Sequence, residues 1–236
     1  MKRQVFFQDL GQKEYKEAWD YQESLLKAKV DKKTEARNLS DHPDYAAAGI
    51  ENDLIFVEHP LVYTLGKTGH EENVLISDEE RAARGIEYFH INRGGDITFH
   101  GPGQIVGYPI LDLEQFKPDL GWYLRNLEQV IIDTVAEYGI VAGRSAGETG
   151  VWIEPDHSRK ICAMGIRCSR WVSMHGFALN VNTDLDYFNF IVPCGIQGKG
   201  ATSIEKEVGH KVDVEEVKAK LRKHFERIFD AEIVMR

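Results

Sequence analysis

The chain has 236 residues, 42% of them hydrophobic and 28% charged, which supplies a substantial core and excludes extended disorder. Its formal net charge of -9 argues against general nucleic-acid binding, which leaves a basic footprint, and no apolar run approaches the roughly 18 residues that a membrane span requires. Three cysteines, an odd number, argue against a disulfide framework and for a reducing, cytoplasmic setting; the opening MKRQVFFQDLGQKEY lacks the apolar region and cleavage site of a secretory signal.

After a short strand over QVFFQDL, residues 12–30 place Tyr15, Trp19, Gln22, Leu25 and Leu26 at helical spacing. Residues 31–50 are polar and aperiodic and read as a surface loop. Asp53–Glu58 (DLIFVE) reads as a buried strand. In the following HPLVYTLGKTG, the run Gly66-Lys67-Thr68 invites a phosphate-loop reading, which fails because the motif needs a glycine where Leu61 stands. From Ile86 the chain alternates strands with glycine punctuation: IEYFHINR, GGD, ITFH, GPGQ, IVGYPILDL. The first break suits a hairpin turn. The second, between His100 and Gln104, is either a plain tight turn or a place where bare backbone amides meet a ligand.

Asp119 caps a predicted helix whose stripe of Leu120, Tyr123, Leu124, Leu127, Val130, Ile131, Val135 and Tyr138 ends at Gly139. Gly150–Glu154, Lys160–Trp171 and Val172–Asn182 read as strands, the last two antiparallel. A short helix over Leu185–Phe190 leads to Pro193-Cys194. The final helix opens on Asp213 and Glu216 in capping-box positions, with Val217, Leu221, Phe225 and Ile228 as its apolar stripe. No linker, repeat or low-complexity segment interrupts the chain. Residues 1–236 therefore predict one α/β domain of layered α+β type.

The chemistry gathers between Lys160 and Ser203. Cys194 sits in Ile-Val-Pro-Cys-Gly-Ile, where the backbone must leave regular structure. A thiol of ordinary pKa, about 8.5, is a few per cent thiolate near neutrality, so a working nucleophile needs a cation or base beside it. Lys160 is the candidate neighbour, and the alternative is a cysteine that merely fills core. Cys162 and Cys168 are an even number apart in one strand and share a face. With His175 they lack the close ligand spacing of zinc sites. His59, His100 and His175 are candidate bases for a catalytic thiol.

The segments RGGDITFHGPGQ (93–104), Lys160–Gly165, HGFALNVN (175–182) and Pro193-Cys-Gly-Ile196, with His59-Pro60 and Tyr63–Gly66, resemble in order those of the lipoyl(octanoyl) transferases. The resemblance covers most of the chain. It implies a single domain similar to biotin protein ligase and lipoate-protein ligase. It also implies a nucleophile at Cys194 paired with Lys160, and substrate contacts from Arg93, Gly94, Gly95, Asp96, Ile97, Thr98, Phe99, His100, Ala163, Met164, Gly165, Gly176, Phe177 and Ala178. The implied activity moves an octanoyl group from octanoyl-acyl carrier protein to a lysine on lipoyl domains of 2-oxoacid dehydrogenases and on glycine cleavage H protein. Neither ATP nor a metal is implied. Two departures stand out: the polar stretch 31–50 is longer than the family needs, and Asp96 stands where an uncharged residue is common. An ATP-dependent ligase, a thioesterase and a non-catalytic acyl-binding protein are the rival readings. Because acyl carrier proteins are acidic and this chain is too, docking would need a local basic cluster, with Arg144, Arg159, Arg167, Arg170 and Lys199 as candidates.

Overall fold

The structure is a computed structural model that describes residues 2–39, 49–156, 158–192 and 199–236. β1 (Arg3–Gln12) leads into α1 (Tyr15–Leu39), β2 (Asn52–Glu58) and β3 (Val62–Leu65). α2 (Asp78–Ala83) precedes β4 (Glu87–His90), β5 (Ile97–His100) and β6 (Gln104–Ile110). α3 (Leu120–Ala136) is followed by β7 (Ala142–Gly143), β8 (Val151–Ile153), β9 (Arg159–Ser169) and β10 (Val172–Asn180). A 3-10 helix, Leu185–Phe190, comes before β11 (Gly200–Ala201), α4 (Ile204–Val208), α5 (Val214–Phe229) and β12 (Ala231–Met235).

Among the described residues the large sheet runs β12-β1-β2-β6-β10-β9-β8-β7, with β11 added beside β9, and a small sheet runs β4-β3-β5. The apolar run of β2 explains the layering. Leu54 and Phe56 enter one core with Tyr123, Leu127 and Ile131 of α3 and Leu221 and Phe225 of α5. Ile55 and Val57 enter another with Ala18 and Leu26 of α1. A strand covered on both faces reads as continuous hydrophobicity rather than alternation. The mixed α/β fold class is thus as expected, and so are the β9–β10 hairpin, the Asp119 cap and the short helix at Leu185–Phe190.

Other expectations need correction. The first helix does not stop near residue 30 but continues to Leu39, so the first part of the expected 31–50 loop is helical; residues 40–48 lie outside the described residues. The buried stripe of α1 is Tyr15, Ala18, Gln22, Leu26, Lys29 and Lys33, and its two lysines pair with carboxylates on β2 and on the segment that follows β6. Lys29 meets Asp53, while Lys33 meets Asp112 and, at 2.6 Å, Glu114. An apolar count cannot register such a face.

The glycine break at 94–95 is not a hairpin either. β3 lies between β4 and β5, parallel to the first and antiparallel to the second. At the start of α5, Asp213 caps by accepting from the Glu215 amide instead of forming a box with Glu216. β12 was not anticipated; it completes the sheet edge parallel to β1. Among the described residues no helix is long and apolar enough to cross a membrane.

Candidate active site

A cavity of about 750 Å³ is walled by Tyr15 at the start of α1, by β5 and β6, by β9 and β10, and by the 147–149 loop. Lys160 lines it, and so does every residue implied for substrate contact except Phe99. Strand alternation sets both Ile97 and Phe99 in the small-sheet core, and Ile97, at the start of β5, still borders the cavity. On β5, Thr98 and His100 turn to the cavity, whereas Phe99 turns into the small-sheet core, stacked on Tyr187 with ring centroids 5.1 Å apart.

Two glycines let the Arg93–Asp96 loop lie flat on its neighbours. The Gly94 amide donates to the Ile166 carbonyl at 2.9 Å, and a Cβ on Gly165 would sit 2.7 Å from the Gly94 oxygen. On the other side a Cβ on Gly66 would sit 2.2 Å from the Gly95 oxygen. The loop is therefore sandwiched between β9 and the end of β3, close backbone approach being what these glycines permit. The 101–103 break is a tight turn. The Gly103 amide donates to Glu58 at 2.9 Å, and its carbonyl accepts from the Val181 and Asn182 amides. The ligand-amide alternative thus loses its donor at Gly103.

The deep wall is a hydrogen-bonded polar layer. Arg93, 8% exposed, donates through Nη2 to the Thr64 carbonyl at 2.7 Å and to its hydroxyl at 3.1 Å. Gln104 donates to the Phe99 carbonyl and to Asn180 Oδ1, so its Oε1 accepts from His100 Nδ1 at 2.8 Å. The network itself assigns that tautomer, and it leaves His100 Nε2 facing Thr64 Oγ1 at 3.4 Å. Asn180 continues the chain by donating to the Thr202 carbonyl, and the Thr202 amide donates to the carbonyl of Lys160. Arg93 and His100 are thus cavity residues and buried parts of the fold at once.

The three candidate histidine bases are held neutral. Burial lowers His59 to about 4. His100 falls to about 3 through burial and the neighbouring His59. His175 falls to about 3 through burial and the Arg93 charge. His59 does not reach the cavity; it lies behind the wall, bonded to the Lys13 carbonyl and the Tyr108 hydroxyl at 2.8 Å each. His175 Nε2 lies 2.9 Å from Asn92 Oδ1, and its φ of 60° is a left-handed conformation rare inside a strand. Such weak bases serve badly as proton acceptors near neutrality.

Lys160 is aimed by a slip in register. Val151 opposes Cys162 but Trp152 opposes Lys160, so β9 carries one extra residue, and bulges of this kind redirect side chains. The Lys160 ammonium lies 4.5 Å from the Trp152 ring centroid, and Lys199 lies 4.4 Å from the same ring. Lys199 is also paired with Glu148 at 2.6 Å. Sequence reasoning passed over Glu148 and Trp152; the signal was the small-residue run AGRSAGETG (142–150), which contains Glu148 and ends two residues before Trp152. It also treated Tyr15 and Leu124 as packing residues, yet both touch the cavity.

Cys162 is fully buried and Cys168 partly buried in the α3/α5 core, and burial pushes both thiols up. Cys194 lies outside the described residues, between Val192 and Lys199. Among the described residues no group of three or more His, Cys, Asp or Glu side chains could hold a metal.

The proposed docking cations prove to be occupied. Arg144 pairs with Glu128, Arg159 with Glu207, Arg167 with Glu23 and Lys199 with Glu148. Arg170 donates to Thr34. Four of the five are thus each matched to a carboxylate, while the partner of Arg170 is a neutral hydroxyl.

The chain matches the family described as lipoyl protein ligase A/B catalytic domain over residues 14–226. Relatives named octanoyltransferase include one from Flavobacterium johnsoniae, 56% identical over 99% of this chain and 100% of its own length. Another, from Christiangramia forsetii, is 54% identical over 99% of both. Among solved structures, the chain is similar in fold to an archaeal bipartite lipoate protein ligase from Thermoplasma acidophilum, described with its E2 lipoyl domain. The TM-score is 0.69 at 15% identity, covering 100% of this chain and 87% of that one. A lipoate-protein ligase A bound with ATP gives a TM-score of 0.69 at 14% identity, covering 100% of this chain and 89% of that one. Full-length identity above one half and a matching catalytic domain lead to one conclusion: the chain belongs to the lipoyl protein ligase A/B catalytic domain family, as an acyltransferase of its octanoyltransferase group.

Proposed function

We propose that this protein takes an octanoyl group from octanoyl-acyl carrier protein onto Cys194 as a thioester. It then passes the group to the lysine of a lipoyl domain, in 2-oxoacid dehydrogenases or the glycine cleavage H protein, without ATP or a metal. The observation that carries this reading is that Lys160 opens onto the same cavity as the Ala163–Gly165 and Gly176–Ala178 backbones, so a charged head and a trough for a chain share one space.

In the first step the Cys194 sulfur bonds to the carbonyl carbon and the carrier's carbon–sulfur bond breaks. The carrier thiolate leaves and takes up the proton of the Lys160 ammonium, so Lys160 enters the second step as the free amine. In the second step the acceptor amine forms the amide bond and Cys194 leaves as thiolate. The proton lost by the amine goes to Lys160, because the buried imidazoles are poor acceptors. Before the first step the Lys160 ammonium favours the thiolate by charge. An eight-carbon chain gains about 0.8 kcal/mol per buried methylene, roughly 5 kcal/mol altogether. Each methylene removed should therefore weaken binding about fourfold.

The test is transfer of octanoyl from its carrier to an isolated lipoyl domain in nucleotide-free buffer. The reading expects lysine octanoylation there. Octanoylation from free octanoate that appears only with ATP would make the protein a ligase, and release of free octanoate alone would make it a thioesterase.

A further inference from the structure

Asp96 lines the cavity, yet its carboxylate is directed at the neighbouring 66–74 loop. Oδ1 accepts from the Ile97 amide at 2.7 Å and the His70 amide at 3.3 Å. Oδ2 accepts from Asn73 Nδ2 at 2.6 Å, a short charge-assisted bond. Asn73 is in turn tied forward. Its carbonyl accepts from the Val192 amide at 2.8 Å, and the Leu75 amide donates to the Phe190 carbonyl at 2.9 Å. Val74 and Ile191 form an antiparallel bridge between these bonds. One unbroken run of hydrogen bonds thus leads from the Arg93–His100 segment, through two side chains, to the backbone of residues 190–192. In the sequence Val192 stands two residues before Cys194.

We infer that Asp96 and Asn73 are a positioning pair. Together they fix residues 190–192 against the 73–75 segment, and so set the point from which the chain enters the Pro193-Cys194 segment. The pair acts through Val192 and not on the substrate. The inference rests on the proposed role of Cys194, and it accounts for the unusual acidic residue at 96, because a carboxylate can accept two amides and an amide side chain at once. Displacement of a reacting group by about 1 Å can cost a hundredfold in rate, so loosening this tie should be visible in catalysis.

The test exchanges the donor and acceptor roles of the pair in the full-length protein. Asn73→Asp sets two carboxylates against each other, which strongly disfavours the ionised pair. Its expected result is at least a tenfold fall in the single-turnover rate of Cys194 octanoylation, together with faster hydrogen exchange at the Val192 amide. Adding Asp96→Asn restores a donor–acceptor pair with the roles exchanged, and both readouts should return toward the parent. Such coupling marks a direct interaction. The inference is overturned if Asn73→Asp octanoylates at the parent rate. It is also overturned if the double variant regains slow exchange at Val192 but not the rate, because Asp96 would then serve the substrate itself. If the exchange pattern is as expected while even the parent protein forms no octanoyl-Cys194, the tie stands and the octanoyl-transfer reading is what fails.

Discussion

Lys160 is singled out by what surrounds it. It shares an aromatic ring with a second cation, and no neutral imidazole on the cavity can take over its proton. Lys160→Met keeps the bulk and removes the charge, so acyl-enzyme formation at pH 7 should fall by about tenfold or more. It should recover in part toward pH 9, where a thiol ionises unaided. Burst kinetics with a small octanoyl thioester measure this, and an unchanged burst at pH 7 would end the proposed pairing with Cys194. The same scale shows what motifs can convey. Arg93 to His100 were legible through the family resemblance that their segment carries, and all but Phe99 line the cavity. Phe99 was carried along with them by adjacency, although a strand alternates its faces. Asp96 was legible as a departure, but its partner Asn73 was not, since the bond between them joins two loops 23 positions apart.

At the scale of elements, the long α1 depends on polar residues that a hydrophobic count discards. Lys33, 1% exposed, reaches Asp112, which is fully buried. Removing one member of a buried pair strands the other charge and costs about 3 to 5 kcal/mol. Lys33→Met should therefore destabilise the protein by roughly 3 kcal/mol in urea denaturation, even though methionine favours helix as well as lysine does. A loss below about 0.5 kcal/mol would show that α1 is held by Leu26 and its apolar neighbours alone. Elements with an apolar signature of their own, α3 and α5, were readable from the sequence. β12 and the order of the small sheet were not, because β12 exists through its pairing with β1 and β3 inserts between β4 and β5 from outside the segment that joins them.

At the scale of the whole molecule, three buried neutral histidines make stability sensitive to acid. In the unfolded chain each titrates near 6.5, whereas His59 is lowered to about 4 and His100 and His175 to about 3 in the fold. Between those values the unfolded state binds more protons, so stability is complete above about pH 6.5 and falls as pH drops toward 4. Each histidine contributes at most about 1.4 kcal/mol per pH unit to that slope. Chemical denaturation from pH 7 to 4.5 should give a shallower slope for His59→Gln than for the parent; equal slopes would place the acid sensitivity elsewhere. The account as a whole stands on covalent passage of an acyl group through the enzyme. Its most direct test is peptide-level mass spectrometry after brief mixing with octanoyl-acyl carrier protein and no acceptor. One octanoyl group should appear on Cys194, persist in Cys162→Ala and Cys168→Ala, and vanish in Cys194→Ala. An adduct retained by Cys194→Ala, or acceptor octanoylation at the parent rate by that variant, would contradict the account.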